Sequence, residues 1–244
     1  MRVDVIWPDR RSSAGIVRMA TTLVVGVALA SLCVAAPASA QPSSSRIDQN
    51  RGAVSSVSKR DPQSAIRATN AFGQCIAQRD HIRVRRALEL PLASNEQLSI
   101  LRKSIDTFDE CLGSSREFDT LTLPPLLFAG AAAEWFVSVN RERIDLTSLA
   151  GMTDEALDKT DYKPRTDLED VGLCLVRRNP ANALALVLTR PTSQEESAAV
   201  KAMIPDIGPC MPAGQEVQLN VPNLRAITAY AIYRAASKLG EIGA

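Results

Sequence analysis

Few side chains in this 244-residue sequence are suited to acid–base chemistry. The one histidine, His81, follows Asp80 in an arginine-rich run, so a histidine base beside a carboxylate is one interpretation. An exposed position at the start of a helix is the other, and we favour it. Neighbouring carboxylates such as Asp109 and Glu110 suit a hydrolase, although helix capping also explains them. Because the sequence has neither a Gly-x-Ser-x-Gly elbow nor a glycine-rich phosphate loop, we predict no catalytic residue and no cofactor.

Arginines are the candidates for binding. Arg79 and Arg178 each follow a cysteine by four positions. They could bind an anion at two helix ends, or cap the C-terminal carbonyls of those helices. Arg83, Arg85 and Arg86 form a cluster that could contact an anionic membrane surface or a partner, or be a solvated helix face. These five arginines are our predicted contacts for an anion or a partner.

One carboxylate lies in an unusual place. Glu134 falls within the apolar run 126–137, where burying an unpaired charge would be costly. We expect Glu134 to reach solvent at the edge of its helix, or to pair with an arginine such as Arg102.

Four of the five cysteines form two equally spaced pairs. Cys75 and Cys111 lie 36 positions apart, and so do Cys174 and Cys210. An even number of evenly spaced cysteines in an exported chain indicates disulfides, and four cysteines allow three connectivities. Zinc modules need closer pairs, so we predict no metal site.

The same offset of 99 positions relates other residues. It places Gly73 on Gly172 and Ser94 on Ser193, and after a one-residue deletion the run 121–126 matches 219–224. The sequence therefore predicts two tandem copies of one unit. Of the three connectivities, the repeat selects the one that keeps each disulfide within its own copy, Cys75–Cys111 and Cys174–Cys210.

Each copy is predicted to contain four helices. In the second copy, capping boxes begin at Thr166 and Ser193, and Asn179 with Pro180 forms a helix start. The third helix should end near Pro205. Extended segments at 118–123 and 216–221 should precede the last helices and pair with each other. The predicted fold class is all-α, with two tandem pseudo-symmetric four-helix units, each holding one internal disulfide.

The first 40 residues have the features of a secretory signal peptide. Arg10, Arg11 and Arg18 precede the apolar run 19–36, and small residues at Ala38 and Ala40 predict cleavage before Gln41. A membrane anchor is the less favoured alternative. The predicted organisation is a signal peptide at 1–40, a disordered leader at 41–60, unit one at 61–141, a linker at 142–165 and unit two at 166–244. The mature protein should be periplasmic or secreted, without a transmembrane anchor.

Composition excludes some functions. Lys and Arg number 28 against 27 Asp and Glu, and this balance argues against nucleic-acid binding. Aromatic residues make up 4% of the chain, too few for stacking platforms.

A resemblance supports this architecture. The run 172–180, with the segments 193–196 and 210–212, resembles a group of uncharacterised secreted proteins of alphaproteobacteria. The resemblance covers most of residues 65–240. It implies a signal peptide and two cysteine-containing helical units, and it implies no activity.

Three hypotheses of function follow. The first, which we favour, is a non-enzymatic protein that binds an unknown protein or envelope component. The second is a carrier with a small apolar ligand between its helices. The third is a hydrolase with two carboxylates in a groove between the units.

Overall fold

Helices make up most of the residues that the computed structural model describes, which are 2–4, 61–112, 120–151, 153, 155, 159, 162–212 and 219–242. The predicted leader, the cleavage site and parts of both predicted extended segments lie outside these residues. The described α-helices are α1 (Pro62–Arg79), α2 (His81–Leu88), α3 (Asn95–Thr107), α4 (Pro125–Val139), α5 (Leu146–Ala150), α6 (Asp167–Arg178), α7 (Pro180–Leu188), α8 (Gln194–Cys210) and α9 (Val221–Lys238). The all-α prediction is confirmed.

The predicted helix starts are present. Thr166 Oγ1 accepts a hydrogen bond from the backbone N–H of Glu169 at 3.2 Å, at the start of α6. The Asn179 side chain caps α7 in the same way, with Pro180 as the first helical residue. These side chains satisfy backbone donors that have no partner inside the helix.

Both predicted disulfides are confirmed. Cys75 of α1 is bonded to Cys111, which lies in the 3₁₀ helix Asp109–Leu112. Cys174 of α6 is bonded to Cys210 at the end of α8. Each bond therefore ties the first helix of one half, α1 or α6, to a cysteine at or just after the end of that half's third helix, α3 or α8.

The two long apolar helices α4 and α9 pack against each other in the core. At their crossing, a Cβ on Gly130 would overlap the backbone and side chain of Ala226. A side chain at this position would thus force the helices apart. Gly73 and Gly172 allow similarly close approach of α1 to α4 and of α6 to α9. The two halves share one continuous core as a result.

The loops that precede α3 and α8 have the same local structure. Ala93 and Thr192 both adopt positive φ, at 58° and 65°. The backbone N–H of Ala93 donates to Gln97 Oε1 at 2.7 Å, and that of Thr192 donates to Glu196 Oε2 at 2.6 Å. In each half a buried side chain of the third helix therefore holds the preceding turn.

The third helix of the second half is longer than predicted. It continues through Pro205 and Pro209 to Cys210, so the predicted end near Pro205 is wrong. Proline removes one backbone donor and its ring crowds the preceding turn, which usually breaks a helix. Here buried Met203 and the disulfide at Cys210 anchor the segment on both sides of Pro205.

The described parts of the two predicted extended segments do not pair with each other. Thr120–Thr122 forms a strand, but it pairs in parallel with Arg2–Asp4. Val221 already belongs to α9, whose N-cap is Asn220, and the helix leaves no strand there. The strand Arg2–Asp4 precedes Gln41, so a chain cleaved at that point would lack this pairing.

The predicted linker contributes to the core. Ile144, Leu149 and Tyr162 are all buried, and α5 begins within this segment. The Tyr162 ring lies under the guanidinium of Arg234, with 5.0 Å between the guanidinium carbon and the ring centroid. The segment therefore packs against α9.

Candidate functional site

A groove of about 460 Å³ lies where helices α1 and α4 of the first half meet the connection between α7 and α8. Its volume is in the range of small-molecule sites. Helix α1 contributes Arg67, Asn70 and Gln74 to the lining. Helix α4 contributes Glu134, and the end of α7 together with the α7–α8 connection contributes the segment 187–191. Both halves of the chain therefore build this site.

The floor of the groove is a buried ion pair. Arg225 of α9 donates from Nε to Glu134 Oε1 at 2.7 Å and from Nη2 to Glu134 Oε2 at 3.0 Å. Both side chains are almost fully buried, with 5% and 3% of their areas exposed. This two-point geometry is the strongest form of a carboxylate–arginine contact. It confirms that Glu134 pairs with an arginine, but the partner is Arg225 rather than Arg102.

Amides complete the surroundings of Glu134. Asn70 Nδ2 donates to Glu134 Oε2 at 2.7 Å, and Gln74 Nε2 donates to the same oxygen at 3.4 Å. Both carboxylate oxygens of Glu134 are thereby occupied by protein donors. A ligand in the groove meets a carboxylate whose hydrogen bonds are already made.

Arg225 also binds the C-terminal end of α7. Its Nη1 donates to the backbone oxygen of Leu186 at 3.0 Å, and its Nη2 donates to those of Val187 and Thr189 at 2.8 and 2.7 Å. The last carbonyls of a helix have no partner inside the helix, so a cation here is favourable. Arg225 thus fixes the α7–α8 connection against the first half.

A second carboxylate shares the same guanidinium. Arg225 Nη1 lies 3.2 Å from Glu196 Oε1, and Glu196 is also buried. Two buried carboxylates therefore depend on one arginine. Burial raises the pKa of Glu134 above its usual value of 4.5, although the charge and hydrogen bonds of Arg225 oppose that shift. Protonation of one carboxylate would leave the cluster neutral.

The rim of the groove is basic. Arg67, Arg141 and Arg190 line it, and all three are exposed. Arg67 donates to Thr192 Oγ1 at 2.8 Å, which holds its side chain over the opening. Arg141 approaches the exposed carboxylate of Glu142 only to 4.0 Å. Arg225 is balanced by Glu134 and Glu196, and Arg67 also lies 3.6 Å from Asp61, so the positive charge of the rim rests mainly on Arg141 and Arg190.

The C-terminal end of α2, unlike that of α7, does not open into the groove. Arg234 of α9 donates to the backbone oxygens of Leu88 and Leu90, both at 3.1 Å, as Arg225 does for α7. The hydroxyl of Tyr230 donates to Leu90 as well, and burial raises its pKa to about 12, so it remains a donor at neutral pH. Tyrosine rings fill the space around Arg234, whereas the end of α7 opens into the groove.

A smaller cavity lies next to the groove. Its volume is about 30 Å³, and its lining includes Ile66, Leu127 and Ala131. This space holds a water molecule but not an apolar ligand.

The arginines predicted from the sequence do not line the groove. Arg83, Arg85 and Arg86 lie together on α2, and Arg79 lies at the end of α1. Arg178 lies at the end of α6, where its Nε pairs with Asp206 Oδ1 at 3.2 Å. The structure therefore gathers three of the five on one helix.

Sequence reasoning missed the groove arginines. Arg225 carried the only usable signal, because it is a charged residue within an apolar helix, opposite in sign to Glu134. Arg67, Arg141 and Arg190 are ordinary surface residues in the sequence. Only the packing of α1, α4 and the α7–α8 connection brings them to one opening.

Within the described ranges, none of the helices has the length and apolar character needed to cross a bilayer. The same residues contain no group of three or more His, Cys, Asp or Glu side chains that could hold a metal ion. No family model matches the chain, and no curated protein or solved structure is similar to it.

Proposed function

We propose that this protein is an exported, non-enzymatic binding protein whose groove takes a small anionic ligand. The observation that carries the proposal is the presence of Arg67, Arg141 and Arg190 around one groove of about 460 Å³. Arginine is well suited to carboxylates and phosphates because its planar donors match their geometry. The ligand class is therefore a small molecule with two or more carboxylate or phosphate groups.

The floor of the groove supports binding rather than catalysis. Glu134 is the one carboxylate in the lining, and its oxygens are engaged by Arg225, Asn70 and Gln74. A hydrolase that uses paired carboxylates needs two of them at the cleft, with one free to take or give a proton. Glu196 does not line the groove. The ion pair instead makes a rigid base that leaves the rim arginines to hold the ligand.

The carrier hypothesis has less support. It requires an apolar cavity, and the space beside Ile66 and Leu127 is about 30 Å³. A drug-sized ligand needs roughly ten times that volume.

Isothermal titration calorimetry tests the anion proposal. The probes are citrate, pyrophosphate and inorganic phosphate, with spermidine as a cationic control and constant ionic strength. We expect one citrate or pyrophosphate site per chain, and an affinity at least tenfold lower in R141A/R190A. Arg178→Ala is the control, since Arg178 is also an exposed arginine but lies outside the groove, where it pairs with Asp206.

Two results would contradict the proposal. One is the absence of any saturable heat with the anions. The other is an equal loss of affinity in R141A/R190A and R178A, because that would indicate a diffuse charge effect.

Export is part of the proposal. Two disulfides fit an extracellular or periplasmic location, since such bonds persist in oxidising compartments. We infer that residues 1–40 are a signal peptide removed before Gln41 and that 41–60 form a disordered leader. N-terminal sequencing of the exported protein should begin at Gln41, and retention of residues 1–40 would point to an anchor.

We also propose that the two halves are tandem copies and that the chain belongs with the secreted alphaproteobacterial proteins it resembles. Equal disulfide separations of 36 residues support the repeat. The matching turns at Ala93 and Thr192 also support it. Proteins of that group should retain cysteines at both pairs of positions, and a member that lacks one cysteine of a pair would argue against the repeat.

A further inference from the structure

Helix α2 presents an unusual outer face. Val84, Ala87 and Leu88 are fully buried, so the opposite side of the helix is centred on Ile82 and Arg86, which are one turn apart. Ile82 is 72% exposed, more than any other large hydrophobic residue in the described part of the chain. Arg83 and Arg85 flank this pair. An exposed isoleucine therefore lies within a cluster of arginines.

The surrounding charge is positive. The segment 79–89 contains four arginines and two carboxylates, Asp80 and Glu89. Asp80 pairs with Arg83 at 2.8 Å. Glu89 is turned towards α9, where it lies 3.6 Å from Lys238 and accepts hydrogen bonds from Tyr233 and Ser237. Both carboxylates are therefore engaged in contacts away from Arg86, which lies on the outer side of α2.

The equivalent helix of the second half lacks this face. Helix α7 carries Ala181 and Ala185 at the positions where α2 carries Ile82 and Arg86, and both alanines are exposed. The segment 180–188 contains no charged residue at all. The face that combines Ile82 with arginines is thus found on α2 and not on α7. Because α7 forms a helix without such a face, α2 does not need it in order to fold.

We propose that the outer face of α2 is a docking surface for an anionic lipid bilayer. Arginines near a bilayer are attracted to anionic headgroups, and an exposed apolar side chain can enter the interface below them. Ile82 supplies the apolar group, while Arg86 supplies the charge within a segment whose net charge is positive. This surface is separate from the groove, whose lining includes no residue of α2.

Co-sedimentation with vesicles tests this proposal on the disulfide-bonded exported protein. Vesicles of phosphatidylglycerol and phosphatidylcholine in equal parts should bind the protein, and vesicles of phosphatidylcholine alone should not. The variant I82A/R86A gives α2 the outer residues of α7, so it should fold normally. We expect it to bind anionic vesicles at least fivefold more weakly, since each arginine near the surface contributes about fivefold.

The control is Ile204→Ala. Ile204 is also exposed, at 57%, but it lies on α8 among residues without an arginine cluster. I204A should bind vesicles as the native protein does. A second readout uses I82W, whose fluorescence should shift to shorter wavelength with anionic vesicles as the indole leaves water.

Three results would overturn the proposal. They are no binding to anionic vesicles, equal binding to both kinds of vesicle, and equal weakening by I204A and I82A/R86A. Binding that persists in 0.5 M NaCl without loss would equally exclude headgroup attraction as its cause.

Discussion

Replacing Arg225 with methionine tests whether the buried ion pair holds the two halves together. Arg225 of α9 contacts Glu134 of α4, Glu196 of α8 and the last carbonyls of α7. Methionine keeps much of the apolar stem but removes every donor. Two carboxylates and the carbonyls of residues 186, 187 and 189 would then lose a partner at once.

The expected loss follows from this geometry. Breaking a buried ion pair by removing one partner costs about 3–5 kcal/mol, because the remaining charge stays buried. The orphaned carbonyls add to that cost unless water enters through the groove. We therefore expect R225M to lower the free energy of unfolding by at least about 3 kcal/mol. For a body of this size, that loss corresponds to a decrease in melting temperature of roughly 6–12 °C.

Urea unfolding followed by circular dichroism, with both disulfides intact, measures this loss. Arg178→Ala is the matched control, because the Arg178–Asp206 pair is partly exposed and should contribute about 0–1 kcal/mol. If the free energy of unfolding of R225M is within about 1 kcal/mol of the native value, or no lower than that of R178A, the ion pair does not hold the two halves together.

Removing both partners refines the test. In E134L/R225M no buried charge of the pair is left alone, so the double variant should lose less stability than the sum of its single variants. If the stability losses of the single variants add up in the double variant, Glu134 and Arg225 act independently. That result would contradict the energetic coupling expected from their two hydrogen bonds.

Three further predictions concern pH, packing and the disulfides. Burial raises the pKa of Glu134, so its contribution to stability is full below its usual value of 4.5 and falls as the pH rises through the folded-state pKa. The stability difference between native protein and E134Q should therefore shrink from pH 4.5 towards neutrality in unfolding titrations; growth of the difference would mean that Arg225 lowers this pKa instead. Gly130→Ala should cost about 1–3 kcal/mol through overlap with Ala226, whereas Gly208→Ala, with no atom within 4 Å, should be neutral or stabilise by up to ~1 kcal/mol. A calorimetric result in which Gly208→Ala destabilises the protein more than Gly130→Ala would contradict the close crossing of α4 and α9. Both disulfides span 36 residues. C75S/C111S and C174S/C210S should therefore each lower the free energy of unfolding by about 4 kcal/mol. Thermal melts that show unequal losses would mean that strain or denatured-state structure differs between the two bonds.

Local signals in the sequence predicted the local structure. The caps at Thr166 and Asn179 form where the side-chain pattern places them, because their hydrogen bonds depend only on the residue three positions away. The disulfides followed from equal cysteine spacing. The end of α8 was mispredicted because tertiary anchoring at Met203 and Cys210 outweighs the local cost of Pro205.

The groove was not predictable in the same way. The contact between Glu134 and Arg225 joins residues 91 positions apart on two helices. Its existence depends on how closely α4 and α9 cross, which the small residues Gly130 and Ala226 permit. The sequence indicated that a buried Glu134 needs a cationic partner, but no local pattern identifies which residue that partner is. The rim arginines gave no signal at all, since exposed arginines are common and only the fold brings these together.

Anomalous diffraction from crystals of the exported protein soaked in tungstate tests the anion groove most directly. Tungstate is a compact divalent oxyanion with a strong anomalous signal, so its position can be read without assuming a ligand. We predict a peak within the groove between Arg141 and Arg190, absent from crystals of R141A/R190A. Peaks confined to other arginines, such as those of α2, would contradict the groove as the anion site.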